Sequence, residues 1–234
     1  MNQTTLLPAP LSEIEHWVFD LDNTLYPASC DLFSQIDWRM TAFIAEALSL
    51  PPDEARPLQK ALFRRHGTTL RGLMVEHGLE PSAFLDFVHD IDYAPVLACD
   101  RLKAAMAALP GEKLIFTNGT VRHAERVLER LGLDGFSGIF DIVAADYMPK
   151  PDPAPYASFV KRHAIDPRRA AMVEDIARNL VPAAALGMTT VWVAGGPDWA
   201  KAGSEDGHIH HATDDLAGWL ETRTAKAPDT PGSS

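Results

Sequence analysis

The sequence predicts an α/β protein in which a doubly wound parallel sheet carries an inserted all-helical cap. From residue 99 onward, short apolar runs alternate with helical patterns, as in the βαβ units that build a parallel sheet. Residues 26–98, by contrast, show helical spacing only, directly after a first strand. We therefore assign residues 1–25 and 99–222 to an α/β core and residues 26–98 to a helical cap. Residues 223–234 are polar and rich in Pro and Ser, which predicts a disordered tail.

The first part of the chain contains one predicted strand and four predicted helices. The apolar run at 16–20 predicts the strand. Apolar residues at steps of three and four predict a helix over 31–50, which the prolines at 51 and 52 end. Further helical patterns cover 53–65, 69–77 and 81–88. A helical insert placed directly after the first strand would lie above the carboxyl edge of the sheet and could close over a substrate.

The second part alternates regularly between helices and strands. A helix at 100–109 precedes a strand at 113–117, and a helix at 120–131 precedes a strand at 141–145. A helix at 154–164 then precedes a strand at 170–173, and a helix that ends at Gly187 precedes a strand at 189–193. Strands of a parallel sheet are apolar on both sides, so helices must cover both faces.

Composition narrows the class of protein. The formal net charge of −11 argues against a nucleic-acid-binding surface, so we expect no polymeric nucleic acid partner. The N-terminus lacks the basic region of a signal peptide, and no apolar stretch approaches the roughly 20 residues of a membrane span. The two cysteines, Cys30 and Cys99, do not form a disulfide framework. We expect a cytoplasmic protein without a membrane partner, either a monomer or a homodimer.

Two aspartates emerge together where the first strand ends. Asp20 and Asp22 are separated by one residue, and residues i and i+2 of a strand point to the same side. Carboxylates this close repel each other unless a cation lies between them or a proton is shared. Because open α/β sheets place their sites at this edge, the pair predicts chemistry. The alternative is a strand followed by an ordinary Asp/Asn turn.

Polar residues also follow the second and third strands of the core. Thr117, Asn118 and Gly119 precede a helix, where hydroxyl, amide and backbone N–H groups could bind a phosphate. Their alternative role is a helix N-cap. Lys150 lies between two prolines that fix its backbone, so its ammonium could neutralise an anionic centre. Its alternative role is that of a surface lysine in a proline-rich loop.

An acidic pair follows the fourth strand. Glu174 and Asp175 supply the carboxylate oxygens that Mg²⁺ prefers. Together with Asp20 and Asp22 they leave a cleft with excess negative charge even after Lys150 is counted. A divalent metal is therefore needed if this cleft is to bind a phosphate dianion.

The order and spacing of these residues resemble the haloacid dehalogenase-like hydrolase superfamily, in its phosphatase branch. The resemblance rests on Asp20-Leu21-Asp22-Asn23-Thr24, on Thr117, on Lys150 and on Glu174-Asp175. It implies a Rossmann-like core and an aspartyl-phosphate mechanism with Asp20 as nucleophile and Asp22 as general acid and base.

The resemblance also implies two sets of ligands. Mg²⁺ would bind Asp20, the backbone carbonyl of Asp22, Asp175 and, directly or through water, Glu174. The phosphoryl oxygens would bind Thr117, Asn118, Gly119 and Lys150. True 2-haloacid dehalogenases of the same superfamily lack the second aspartate, which is present here as Asp22.

The cap contains a second motif, the sequence Gly-Thr-Thr-Leu-Arg-Gly-Leu at 67–73. It resembles the pyrimidine 5′-nucleotidase branch, although His66 stands where that branch has a tyrosine. The resemblance implies that Thr68, Thr69 and Arg71 contact the sugar or base of a nucleotide. The alternative is a loop and N-cap that begin a cap helix.

These observations predict a Mg²⁺-dependent phosphatase for pyrimidine nucleoside 5′-monophosphates. The alternatives are the same chemistry on another small phosphate, such as phosphoglycolate or a sugar phosphate, a phosphomutase, and a catalytically silent binding module.

Overall fold

A computed structural model describes residues 10–224 and contains a six-stranded, fully parallel sheet. The strand order is β3-β2-β1-β4-β5-β6, so the chain winds outward in both directions from β1. The doubly wound α/β fold predicted from the sequence is confirmed. The strands are β1 (His16–Phe19), β2 (Glu112–Phe116), β3 (Gly138–Phe140), β4 (Ala170–Glu174), β5 (Thr189–Val193) and β6 (His211–Thr213).

Within residues 10–224, five helices pack on the two faces of this sheet. Side chains alternate along β1, so Trp17 and Phe19 lie in one apolar cluster and Val18 in the other. The first cluster includes Val127 of α6, and the second includes Phe159 of α7. The core helices are α5 (Asp100–Ala108), α6 (Val121–Leu131), α7 (Pro153–Arg162), α8 (Leu180–Leu186) and α9 (Leu216–Thr224).

Four helices fill the stretch between β1 and β2. They are α1 (Leu32–Ala47), α2 (Pro52–His66), α3 (Thr69–His77) and α4 (Pro81–Val88). Residues 26–98 all lie within the described part of the chain and contain no strand, as the sequence predicted. The helices share their own apolar cluster, which includes Ile44, Leu62 and Phe84 and also Ile142 from the core. An inserted helical unit therefore has a separate interior and rests on the core.

The central position of β1 brings the ends of three strands together. Phe19 lies opposite Ile115 of β2 on one side and Val173 of β4 on the other. The residues that follow these strands therefore meet at one edge of the sheet. The ends of the first, second and fourth strands therefore converge, as the sequence predicted. They do so at the point where the strand order reverses.

The sequence prediction placed the third strand wrongly. It lies at Gly138–Phe140 rather than at 141–145. The apolar run after Asp141 instead forms turns, because the Asp141 carboxylate accepts hydrogen bonds from the backbone N–H groups of Val121 (3.0 Å) and Ala144 (2.8 Å). Asp141 thus joins this turn to the start of α6.

The second correction concerns the C-terminus. Helix α9 continues to Thr224, so Arg223 and Thr224 of the expected tail are helical. The rest of that expected tail lies outside the described residues. None of the helices in residues 10–224 combines the length and the apolar character needed to cross a bilayer.

Close packing of α2 on α3 gives a first testable prediction. A Cβ atom on Gly72 would lie 2.7 Å from Cβ and 2.9 Å from Cδ2 of Leu62, which is fully buried. Gly72→Ala should therefore lower the free energy of unfolding by about 1–3 kcal/mol, the usual cost of overpacking. Thermal and urea unfolding would measure it. Gly207→Ala is the control, since a Cβ there meets no atom within 4 Å; equal stability of both variants would contradict the packing argument.

Candidate active site

Asp20 is the first residue of the candidate site along the chain. It follows β1 directly, and its backbone N–H donates to the carbonyl of Val173 at 2.9 Å, which fixes it between two strands. Its Oδ1 accepts a hydrogen bond from Lys150 Nζ at 2.6 Å, and its Oδ2 accepts one from Thr24 Oγ1 at 3.0 Å. With only 6% of its surface exposed, this carboxylate is buried and held at both oxygens.

Lys150 is buried beside Asp20 rather than exposed on the surface. Its ammonium also donates to Glu174 Oε2 at 2.6 Å and to the carbonyl of Phe116 at 2.9 Å, so all three of its protons have acceptors. The backbone N–H of Lys150 donates to Asn118 Oδ1 at 2.9 Å. Burial alone lowers the pKa of Lys150, but Asp20 and Glu174 outweigh burial and raise it above its usual value.

Asp20, Glu174 and Asp175 form a buried acidic cluster. Each offers one carboxylate oxygen, and these oxygens all lie within 4.8 Å of one another. Burial, followed by repulsion from Glu174, raises the pKa of Asp20 and that of Asp175 above the ordinary range. A single ammonium does not balance three carboxylates, and their hard oxygen donors suit a divalent cation such as Mg²⁺. The residues present therefore fit the metal that the sequence predicted.

Asp22 lies beside this cluster but has different partners. Its Oδ1 accepts hydrogen bonds from His123 Nε2 at 2.8 Å and from the hydroxyl of Tyr26 at 2.5 Å. Burial raises the pKa of Asp22, but His123 and the two hydrogen bonds outweigh burial and lower it to about 2. Asp22 is therefore a carboxylate near neutral pH, and its side chain remains 24% exposed.

His123 is a site residue that the sequence analysis missed. It lies on α6, is fully buried, and also contacts the hydroxyl of Tyr93 through Nδ1 at 3.0 Å. The ring of His89 stacks on it with centroids 4.6 Å apart. In the sequence, His123 has the same four-residue spacing as Val127 and Leu131, two apolar positions of the same helix face. A histidine among the apolar residues of a helix face was the one feature of the sequence that could have indicated this role.

The segment after β2 is brought to the site as predicted. The Thr117 hydroxyl is buried and accepts a hydrogen bond from the backbone N–H of Gly119 at 2.9 Å, while Asn118 holds Lys150. The N-cap of α6 is Thr120, whose hydroxyl accepts from the backbone N–H of His123. Capping is therefore not the role of Thr117 or Asn118.

The cap motif approaches the site at its first residue. A Cβ on Gly67 would lie 3.5 Å from Pro149 Cγ, next to Lys150. Thr68 is the N-cap of α3 and accepts from the backbone N–H of Arg71, and Thr69 is buried. The capping alternative thus accounts for Thr68. In the described part of the chain Arg71 makes no ion pair, whereas His66 lies 2.6 Å from Glu76.

Asp20 and Asp22 lie at one edge of the sheet in different surroundings, so the two carboxylates can take different roles in one reaction. Asp20 is held by Lys150 within a cluster that suits a cation, which is the setting of a nucleophile for an anionic substrate. Asp22 has a partly exposed carboxylate outside the three-residue cluster, which is the setting of a group that exchanges protons with a substrate.

Known proteins resemble this chain in sequence. The model of a family described as haloacid dehalogenase-like hydrolase matches residues 14–187. Phosphate metabolism protein 8 of Saccharomyces cerevisiae is 28% identical over 165 residues, which are 63% of this chain and 51% of that protein. The chain thus spans about half the length of this curated relative.

Solved structures resemble it in fold. A HAD phosphatase from Thermococcus onnurineus has a TM-score of 0.59 at 17% identity and covers 90% of this chain and 98% of its own. The HAD-hydrolase YfnB from Bacillus subtilis, bound to magnesium, has a TM-score of 0.55 at 16% identity, with 89% and 98% covered. A 2-haloacid dehalogenase from Pseudomonas syringae pv. Tomato DC3000 has a TM-score of 0.55 at 21% identity, with 91% and 100% covered. At these identities the likeness establishes the fold alone.

The burial of Lys150 gives a prediction about stability. Lys150→Met would leave Asp20 and Glu174 buried without their ammonium, so the free energy of unfolding should fall by about 3–5 kcal/mol. Urea unfolding at neutral pH would measure the loss, and saturating Mg²⁺ should recover part of it. Lys201→Met, which removes an exposed partner of Asp198, should be nearly neutral. Equal effects of the two substitutions would show that Lys150 does not stabilise the cluster.

Proposed function

The chain belongs to the haloacid dehalogenase-like hydrolase family, and on that premise we propose that it is a Mg²⁺-dependent phosphatase that hydrolyses small phosphomonoesters. The observation that carries the proposal is the buried cluster of Asp20, Glu174 and Asp175, with Asp22 two residues beyond Asp20. Burying three carboxylates side by side costs free energy. A bound cation would offset that cost and would allow the site to bind an anionic substrate.

The first half of the reaction is attack by Asp20. One carboxylate oxygen of Asp20 forms a bond to phosphorus while the bond between phosphorus and the leaving oxygen breaks. The departing oxygen takes a proton from Asp22, which leaves an aspartyl-phosphate and a free alcohol. Asp22 begins as a carboxylate in the structure, and an incoming phosphate dianion raises its pKa, which favours proton uptake as substrate binds.

The second half regenerates the enzyme. Water attacks phosphorus and gives a proton to Asp22, the bond from phosphorus to Asp20 breaks, and inorganic phosphate leaves. Once it has given its proton to the leaving group, Asp22 is again a carboxylate, as it is in the free protein, and can accept the proton of that water.

Several groups support the transferred phosphoryl group. Mg²⁺ would be held by Asp20, Asp175, Glu174 and the backbone carbonyl of Asp22, and it supplies positive charge that offsets phosphate against carboxylate. Thr117, Asn118 and Gly119 lie beside Lys150, where hydroxyl and N–H donors suit phosphoryl oxygens. Lys150 orients Asp20 in the free protein through its 2.6 Å hydrogen bond.

Asp22 favours phosphate chemistry over dehalogenation. A halide leaves as a stable anion and takes no proton, so a dehalogenase needs no general acid for its leaving group. An alkoxide leaving group is strongly basic and does need a proton. The presence of Asp22, set in its own hydrogen bonds, supports a phosphomonoester as substrate.

For the leaving group we propose a pyrimidine nucleoside. The support is the cap motif at 67–73 together with an aromatic pair where cap and core meet. Phe63 of α2 and Trp199 lie with ring centroids 6.5 Å apart at 77°, both partly exposed, and the Arg178 guanidinium lies 5.9 Å from the Phe63 ring. A Cβ on Gly196, three residues before Trp199, would lie 3.7 Å from Asp175 Oδ2, so the loop that leads to Trp199 passes beside the acidic cluster. Aromatic and guanidinium faces are the surfaces on which bases stack.

A substrate panel tests the function. Purified protein is offered UMP, CMP, AMP, phosphoglycolate, ribose 5-phosphate and 2-chloropropionate, with Mg²⁺ or with EDTA. We expect phosphate release from UMP and CMP above the other phosphates, loss of that release in EDTA, and no release in the Asp20→Asn control. Faster release from phosphoglycolate or a sugar phosphate would overturn the nucleotidase assignment. Halide release would overturn the phosphatase proposal, and no product from any compound would favour a silent binding module.

The aromatic pair yields a sharper prediction about specificity. Trp199→Ala should raise KM for UMP about tenfold, because a stacked base contributes roughly 1–3 kcal/mol, and should leave KM for ribose 5-phosphate unchanged. Steady-state kinetics on both substrates would measure the difference. Trp38→Ala removes an equally large exposed ring from α1 and serves as the matched control. A parallel rise in KM for both substrates would contradict stacking on Trp199.

A further inference from the structure

His123 lies at the centre of a hydrogen-bonded chain that ends on Asp22. We propose that His123 is a positioning residue, which fixes the Asp22 carboxylate for proton transfer and is itself held in place by the cap. This inference rests on the proposed function, because it assigns a purpose to a contact of the general acid and base.

The hydrogen bonds to Asp22 are unevenly distributed between its two oxygens. Oδ1 receives both His123 Nε2 and the Tyr26 hydroxyl, at 2.8 and 2.5 Å. Within residues 10–224, Oδ2 has no hydrogen-bonding side chain or backbone group. With Oδ1 anchored twice, rotation of the carboxylate is restricted, and Oδ2 is left available to a substrate. A general acid must lie within hydrogen-bond reach of the proton acceptor, so this orientation matters for the chemistry.

His123 is unusually well fixed for a side chain that reaches a substrate-facing residue. It is fully buried, whereas burial of an imidazole is unfavourable unless both nitrogens have partners. Its Nδ1 lies 3.0 Å from the Tyr93 hydroxyl, its ring stacks on His89, and its backbone N–H is bound by the N-cap Thr120. Each of these contacts reduces the freedom of the ring.

Two of the groups that hold His123 come from the stretch between α4 and α5. The Tyr93 hydroxyl also donates to the backbone carbonyl of His89 at 3.0 Å, which ties the two residues together. His89 is the C-cap of α4, the last cap helix. The position of His123, and through it that of Asp22, therefore depends on how this end of the cap is seated.

The test separates loss of positioning from loss of structure by the choice of leaving group. UMP releases an alkoxide that needs a proton, whereas p-nitrophenyl phosphate releases a phenolate that leaves without one. The ratio kcat/KM reports the steps up to departure of the leaving group. His123→Asn keeps an amide near Nδ1 and loses the reach to Asp22, while His123→Gln keeps a donor near the position of Nε2.

We expect His123→Asn to lower kcat/KM for UMP about 100-fold, the lower end of a general acid contribution, with a change of less than about threefold for p-nitrophenyl phosphate. His123→Gln should recover most of the loss. Tyr93→Phe should give the same selective loss on a smaller scale, and it carries the test if His123→Asn does not fold. His163→Asn, which removes a histidine at the end of α7, should change neither substrate.

Three results would overturn the inference. Equal losses for both substrates would mean that His123 acts only on the structure of the site. Unchanged kinetics in His123→Asn would mean that Asp22 needs no such support. If the wild-type protein turned over neither substrate, the proposed function itself would fail and the inference would fall with it, whereas the first two results leave the proposed function standing.

Discussion

The buried ammonium of Lys150 joins the carboxyl ends of three strands. Its protons are shared among the Asp20 carboxylate after β1, the Phe116 carbonyl at the end of β2 and Glu174 at the end of β4. A charge removed from water is tolerated only when its partners replace the lost hydration, and here every proton is used. Because Asn118 holds the backbone of Lys150, the segment after β2 and the proline-flanked loop assemble around the same charge.

The surroundings of Asp20 and Asp22, more than their positions in the sequence, make the two carboxyl groups chemically different. Asp20 and Asp22 leave the same strand end, yet burial among carboxylates raises the pKa of Asp20, while His123 and Tyr26 lower that of Asp22. Pairs of acids whose environments push their pKa values apart are the usual basis for different chemical roles. Asp20 is bound to the sheet and to Lys150, whereas Asp22 is bound to Tyr26 and to His123, a core residue that contacts Tyr93 near the end of the cap.

The sequence predicted those parts of the fold that depend on local residue patterns. Helices at 69–77 and 81–88 and the strand at 189–193 have the bounds that periodicity indicated, and the residues at strand ends meet as parallel topology requires. The third strand was misplaced because Asp141 bonds its own turn and the start of α6, a contact that no local pattern reveals. His123 was missed for a related reason, since it lies 101 residues from Asp22 and looks like a core position of its helix.

The two tyrosines near the ends of the cap connect Asp22 to the cap. Tyr26, where the chain leaves β1, bonds Asp22 directly, and Tyr93, where the chain returns to the core, bonds the histidine that holds Asp22. Among residues 10–224, Asp20 has no such link, since its partners there are Lys150, Thr24 and β4. Sequence divergence in the cap near these crossings would thus alter the orientation of Asp22 together with the surface of the cap, while the surroundings of Asp20 would be inherited unchanged. In such a lineage, a changed cap and a changed orientation of Asp22 are acquired in the same step.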